Sequence, residues 1–153
     1  MITTVIGIGQ SFRGDDGAGL AAVACWAETY PETASQIRVE LAESPGVGLL
    51  HLIEDAGFAI LVDAVQSGAA PGTIHTLKEG DLATFLEGTH SAHGWGLAET
   101  LALGRKLDPD SLPETIAILG IEAGQVAVGV GLSPEVENAL PEAARLIQGW
   151  LQK

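Results

Sequence analysis

The residues best suited to chemistry are two carboxylates and an imidazole that stand in three well-separated segments. Asp16 lies in a glycine-rich segment near the N-terminus, Asp63 follows a buried apolar run, and His93 opens a stretch with helical spacing. Oxygen and imidazole donors together suit borderline divalent ions such as nickel, zinc or cadmium. Three protein ligands would leave a coordination position for water or for an atom of a partner. The sequence therefore suggests a metal site, provided that the fold brings the three segments together.

The glycine-rich segment, residues 7–19, does not fit the patterns of phosphate-binding loops. Phe12 stands where the dinucleotide-binding pattern needs its third glycine. In the P-loop pattern a lysine should follow Gly14, but Asp15 and Asp16 stand there instead. Two carboxylates would repel a phosphate and attract a cation, so this segment favours a metal over a nucleotide.

Each candidate residue also has a structural explanation. Asp15 or Asp16 would cap the following helix, where a carboxylate complements the helix dipole, and spacing alone favours that role. Asp63 at the end of a strand would bond the amides of a turn. A single histidine such as His93 is usually solvated or hydrogen-bonded, and His90 is expected in a loop, where it would support the metal ligands. Position alone does not decide between these roles.

The order of apolar runs and helix-period segments predicts how these residues are placed. Strands are expected at residues 2–8, 37–41, 58–62, 73–77 and 115–121, the fourth at a sheet edge. Helices are expected at residues 17–30, 47–53 and 93–105, and a last helix has Ser133 as N-cap and Pro134 at its first position. Residues 1–153 therefore form a single α/β domain, a three-layer αβα sandwich with a mostly parallel, twisted sheet of about five strands.

The candidate ligands follow different strands of this sheet. Asp16 comes after the first strand, Asp63 closes the third, and His93 opens the helix after the fourth. In open α/β sheets, ligands bind beyond the carboxyl ends of the strands. We therefore expect the three side chains to face one crevice.

Composition excludes several classes of function. Seven Lys and Arg against twenty Asp and Glu give a net charge of −13, and no basic cluster is present, so nucleic acids and anionic membranes are not expected partners. Cys25 is the only cysteine, which rules out a disulfide framework within the chain and a cysteine-rich zinc site. No export signal or membrane-length apolar run is found, and we expect a cytoplasmic protein.

Taken in order, these segments resemble the hydrogenase maturation proteases, the C-terminal processing endopeptidases of [NiFe] hydrogenase large subunits. The family's opening G-x-G-N-x-L-x-x-D-[DE]-x-x-G is similar to residues 7–19, and its D-A strand end is similar to residues 61–64. Its P-G-T, H-x-x-G-L and G-L-[ST]-P-x-V segments are similar to residues 71–73, 93–97 and 131–136. The similarity spans nearly the whole chain.

The resemblance implies a function and a site. Asp16, Asp63 and His93 would bind the nickel already installed in the [NiFe] hydrogenase large-subunit precursor, and zinc or cadmium would substitute for it. The enzyme would then remove the precursor's C-terminal extension, so that the new chain end closes the metal centre. The metal would polarise the scissile carbonyl or activate water, or a carboxylate would act as general base, and the sequence does not separate these. The alternatives are a non-catalytic nickel-binding hydrogenase assembly factor and an unrelated nucleotide- or small-molecule-binding α/β protein.

Three departures from the family pattern stand close to the predicted site. Gln10 replaces the usual asparagine and Phe12 an aliphatic residue, which predicts a first loop of different shape. Residues 41–44 stand where many relatives carry a D-G-G-T turn, and they include Glu43. Glu43 would face the crevice or be solvated, and together with Asp15 and His90 it completes the set of polar residues expected around the ligands.

Overall fold

A computed structural model describes residues 1–85 and 92–152, without the side chains of residues 92–95. The strands are β1 (Ile2–Ile8), β2 (Arg38–Ala42), β3 (Ala56–Val65), β4 (Ile74–Lys78) and β5 (Thr115–Glu122). The helices are α1 (Ala18–Thr29), α2 (Pro31–Ala34), α3 (Val47–Ile53), α4 (Leu82–Phe85), α5 (Ala92–Leu107) and α6 (Pro134–Leu151). Short 3-10 turns lie at Gly14–Gly17, Glu79–Asp81 and Pro109–Ser111.

The strands form one sheet in the order β2-β1-β3-β5-β4. All neighbouring pairs are parallel except β4 with β5, which is antiparallel. The central strands β1, β3 and β5 are almost wholly buried, in keeping with their continuous apolar sequences. The mostly parallel sheet and the edge position of β4 are both confirmed.

Helices cover both faces of the sheet. On one face, α1 and α6 pack on residues such as Val5 and Val62, and they contribute Trp26 and Ile147 to the buried cluster. On the other face, α3, α4 and α5 pack on alternate residues of the same strands, such as Leu61. This is the expected three-layer sandwich. Among the described residues, none of the helices combines the length and the apolarity needed to span a bilayer.

Helix α6 begins as the sequence predicts. The Ser133 hydroxyl accepts a hydrogen bond from the backbone N–H of Val136 at 3.5 Å, and Pro134 occupies the first helical position. Proline is tolerated there because its missing N–H would have no partner within the helix. Val136 and Ile147 lie on the buried face.

The third strand is longer than predicted. It continues past Asp63 to Val65, since Ala64 and Val65 pair with Ile121 and Glu122 of β5. The prediction that Asp63 ends the strand is therefore wrong. Asp63 lies within the strand, where the alternation of side chains fixes the face to which it points.

Candidate active site at the carboxyl ends of the strands

The loop after β1 is folded tightly back over the end of its own strand. Gly9 has a φ of 140°, and a Cβ atom there would overlap the carbonyl oxygen of Asp16. Its N–H donates to the carbonyl of Ala42 at 2.9 Å, which joins the loop to the end of β2. Only glycine fits this position without strain, and the turn Gly14–Gly17 is thereby held close to the sheet.

A second glycine brings helix α1 against the strand ends. A Cβ atom on Gly19 would overlap the carbonyl oxygens of Ile8 and Val62, the last residue of β1 and the residue before Asp63. The helix therefore starts directly at the carboxyl ends of β1 and β3. The turn that carries Asp16 contacts β3 for the same reason.

Asp16 is a buried carboxylate close to the carboxyl ends of β1 and β3, with 8% of its surface exposed. Its Oδ2 atom accepts a hydrogen bond from the backbone N–H of Gln10 at 2.9 Å. The N-cap of α1 is Gly17, and no side chain caps that helix. The alternative in which Asp15 or Asp16 caps α1 is wrong, because the intervening 3-10 turn places both carboxylates before the cap position.

Asp15 is fully buried and faces a different part of the chain. Its carboxylate accepts hydrogen bonds from the N–H groups of Gly124 and Gln125 at 2.8 and 3.0 Å, and from the N–H and hydroxyl of Ser133 at 2.7 and 2.8 Å. Burial raises the pKa of Asp15, but the bonds from Ser133, Gly124 and Gln125 outweigh this effect and hold the pKa below its ordinary value. Asp15 is thus an ionised carboxylate whose hydrogen bonds connect the loop after β1 with the segment between β5 and α6.

Asp63 is 1% exposed, and its Oδ1 atom accepts a hydrogen bond from the N–H of Ala64 at 2.8 Å. Side chains alternate along a strand, so Asp63 lies on the same face as Ala59 and Leu61. Those two residues belong to the cluster formed with Leu97 and Leu101 of α5. Asp63 therefore faces the helical layer that contains α5.

His93 lies in the first turn of α5, and its side chain falls outside the described residues, as does the whole of His90. The helix itself has the predicted register, with Leu97 and Leu101 buried against the sheet face that carries Asp63. The described side chains contain no group of three His, Cys, Asp or Glu that could hold a metal, and that search does not include His93. The three-residue ligand set therefore stays a prediction.

Glu43 is exposed at the rim of a shallow pocket of about 340 Å³. The pocket lies between the loop after β1, helix α1 and the end of β2, and its lining includes Gln10, Phe12 and Leu41. Since the N–H of Gln10 is bonded to Asp16, this pocket adjoins the candidate site.

Sequence reasoning missed a further buried carboxylate near these strand ends, that of Glu122. It accepts hydrogen bonds from the N–H of Ser67 at 2.8 Å and from the Ser67 hydroxyl at 2.5 Å, and it lies 3.1 Å from Nε2 of His75. Gly120 pairs with both Asp63 and His75, so the cluster lies across β5 from Asp63. The available signal was an acidic residue closing the apolar run of β5.

The donors at this edge suit a divalent cation. Asp16 in the turn after β1 and Asp63 near the carboxyl end of β3 are both carboxylates withdrawn from water. Asp63 also shares its sheet face with the helix that carries His93. Buried carboxylates are stable when a cation or several donors offset their lost hydration. A larger cavity of about 1020 Å³ lies at the opposite ends of the strands, near Phe58 and Trp150, and includes none of these residues.

Comparison with known proteins shows the family to which this chain is similar. The family profile of HycI, described as a hydrogenase maturation protease, matches residues 35–150. The hydrogenase expression/formation protein HupD of Rhodobacter capsulatus is 28% identical over 152 residues, which are 95% of this chain and 71% of that protein.

Two solved structures share the architecture. The hydrogenase maturating endopeptidase HybD from E. coli superposes with a TM-score of 0.80 at 24% identity, covering 99% of this chain and 93% of that one. The [NiFe] hydrogenase maturation protease HybD from Thermococcus kodakarensis gives a TM-score of 0.77 at 24% identity, covering 98% and 99%. At these identities the likeness shows a common fold.

The fold and site thus define an α/β protein with buried carboxylates near the carboxyl ends of its strands, and the family match adds the class of peptidase. The chain belongs to the hydrogenase maturation protease family. The matched region contains Asp63 and His93, while Asp16 precedes it.

Proposed function

We propose that this chain is a cytoplasmic endopeptidase that removes the C-terminal extension of a [NiFe] hydrogenase large-subunit precursor once nickel has been inserted. Membership of the hydrogenase maturation protease family supports the reaction class. The observation that carries the proposal is the placement of two buried carboxylates beside neighbouring strands: Asp16 in the turn after β1, and Asp63 within β3 near its carboxyl end.

In this proposal Asp16, Asp63 and His93 bind the nickel that the precursor carries. Carboxylate oxygens and an imidazole nitrogen form a mixed donor set suited to nickel, and to zinc or cadmium as substitutes. Because only three ligands come from this chain, the remaining positions stay with the precursor's own ligands. A precursor without nickel would lack this bridge, which accounts for cleavage only after insertion.

In this proposal, the contribution of Asp16 and Asp63 is to hold the precursor in a fixed position. Asp16 is fixed by the N–H of Gln10, and Asp63 is fixed within β3 by the N–H of Ala64. Holding the precursor at these fixed points converts an encounter between two proteins into a reaction within one complex, which lowers the barrier. The precursor's nickel supplies positive charge that stabilises the negative charge developing on the scissile carbonyl.

The test is co-expression of this chain with the large-subunit precursor, with nickel and under nickel depletion. We expect the mass of the precursor to fall by that of its C-terminal extension only when nickel is present. Nickel-dependent binding without any loss of mass would instead support the non-catalytic assembly factor. Cleavage at the same rate without nickel would contradict the proposed recognition of the metal.

A further inference from the structure

Strand β2 is an edge of the sheet formed by the described residues, and its outer backbone groups can be assigned. The carbonyl of Ala42 accepts from Gly9, and the carbonyl of Arg38 accepts from the hydroxyl of Thr4, so both residues direct their backbone groups toward β1. Alternate residues of a strand direct their backbone groups to opposite sides. The N–H and C=O groups of Val39 and Leu41 therefore point outward, where another strand can pair with them.

Exposed apolar side chains lie on and beside the same edge. Leu41 is 62% exposed and Phe12, across the pocket, is 58% exposed. Val39 is also exposed and lies on the same face as Leu41. Exposed apolar residues grouped beside a pocket commonly mark a surface that binds another molecule.

The charged side chains along the β2 edge leave it with net negative charge. Arg38 forms a salt bridge with Asp55 at 3.1 Å, which offsets its charge. Glu40 and Glu43 have no cationic partner among the described side chains. A segment that pairs with β2 would therefore meet apolar side chains on one face and carboxylates at Glu40 and at the pocket rim.

We propose that the outer edge of β2 is the docking strand for an extended segment of the hydrogenase precursor. The segment pairs with the outward backbone groups of Val39 and Leu41, as peptides do when they add a strand to a sheet edge. It places one apolar side chain in the pocket between Phe12 and Leu41, and basic side chains opposite Glu40 and Glu43. This inference rests on the proposed function, since it assigns that function's substrate to a surface.

The position of the pocket relates docking to cleavage. Gln10 lines the pocket, and its N–H donates to the carboxylate of Asp16. A segment seated along β2 thus reaches the candidate site through the loop after β1. Docking on this edge would deliver an extended chain to the carboxylates rather than a folded surface.

Two variants of Leu41 separate the apolar side-chain contact from the backbone pairing. Leu41→Lys replaces the apolar contact by a charge that repels basic side chains. Leu41→Pro removes an N–H that points away from β1, so the pairing with β1 is kept. Proline is tolerated in an edge strand at such outward-facing positions. Leu107→Lys is the matched control, since Leu107 is a 72% exposed leucine at the end of α5. Thermal melts confirm that each variant is folded.

The probe is the purified large-subunit precursor of the same organism with its extension intact, and the dissociation constant is measured apart from cleavage. We expect both Leu41 variants to bind about tenfold more weakly or worse, and Leu107→Lys to bind like the wild type. Unchanged binding of both Leu41 variants, or no binding by the wild type, would overturn the docking proposal. If the wild type cleaves the precursor but the Leu41 variants bind normally, only the docking proposal fails. If the Leu41 variants lose binding but the wild type never cleaves, only the proposed function fails.

Discussion

Asp15 accepts two hydrogen bonds from Ser133, one from the backbone N–H at 2.7 Å and one from the hydroxyl at 2.8 Å. Ser133 is also the N-cap of α6, so one serine joins the start of that helix to the loop after β1. The residue that follows Asp15 in this loop is Asp16. The position of the candidate metal ligand is therefore tied to the last helix through its neighbour.

Replacing Asp15 by alanine should destabilise the protein strongly. The change removes the acceptor of the N–H groups of Gly124, Gln125 and Ser133, and hydrogen bonds to a charged group contribute about 1.5–3 kcal/mol each. We expect the free energy of unfolding to fall by about 3 kcal/mol or more in urea titrations. Asp110→Ala, at an exposed position, should change it by less than about 0.5 kcal/mol. A loss below about 1 kcal/mol for Asp15→Ala would show that these bonds contribute little.

The lowered pKa of Asp15 predicts a dependence of stability on pH. The folded state holds the Asp15 pKa below the value of about 3.9 found in unfolded chains. Its contribution to the free energy of unfolding is therefore complete above about pH 4 and is lost as the pH falls through the folded pKa. Thermal melts between pH 5 and pH 2 should show a steeper loss for the wild type than for Asp15→Asn, which cannot ionise. Parallel curves would contradict this assignment.

Gly19→Ala should disturb the site by moving helix α1. Its methyl group would overlap the carbonyl oxygens of Ile8 and Val62, so the helix and the turn carrying Asp16 must shift away from the strand ends. We expect a loss of about 1–3 kcal/mol in stability, with reduced precursor processing. Gly149→Ala in α6 is the control: apart from the neighbouring residues and the backbone of α6 itself, no atom of the described structure lies within 4 Å of the added methyl, and the variant should gain about 0.5–1 kcal/mol. Equal effects for both variants would rule out the close approach at Gly19 as the cause.

Glu122 should be important for stability despite its charge. Glu122→Ala removes the acceptor for the N–H and hydroxyl of Ser67 and the partner of His75, and it should cost about 2–4 kcal/mol. Glu122→Gln keeps an acceptor oxygen and should cost about half as much. Chemical denaturation measures both, with Glu114→Ala at an exposed position as the control. If Glu122→Ala is as stable as the control, the cluster is not a stabilising contact.

Much of the fold follows from the sequence because local patterns and tertiary packing agree. Helix α3 has the predicted bounds, and α6 begins with the predicted serine cap, since both depend on local spacing and capping. The end of β3 could not be placed, because the strand continues through Asp63 by pairing with β5, which is a contact distant in sequence. Local sequence favours a strand end at Asp63, but the long-range pairing with β5 overrides it.

The sequence predicts the main carboxylates of the candidate site but not all of the contacts that hold them. Residue type and position relative to the strands predict Asp16 and Asp63 as site residues, and both are buried near the carboxyl ends of the strands. The partners of Asp15 could not be predicted, because they lie more than one hundred residues away along the chain. Glu122 was missed since a single acidic residue at a strand end carries no spacing signal.

The most direct measurement is the C-terminal mass of a nickel-loaded large-subunit precursor after incubation with this chain and its variants. Asp16→Asn and Asp63→Asn keep the shape of each side chain but remove its charge, and His93→Ala removes the imidazole. We expect each variant to process the precursor at least about a hundredfold more slowly than the wild type while remaining folded. Asp110→Asn should process it at the wild-type rate. Full loss of the extension at the wild-type rate by folded Asp16→Asn, Asp63→Asn and His93→Ala would contradict the account.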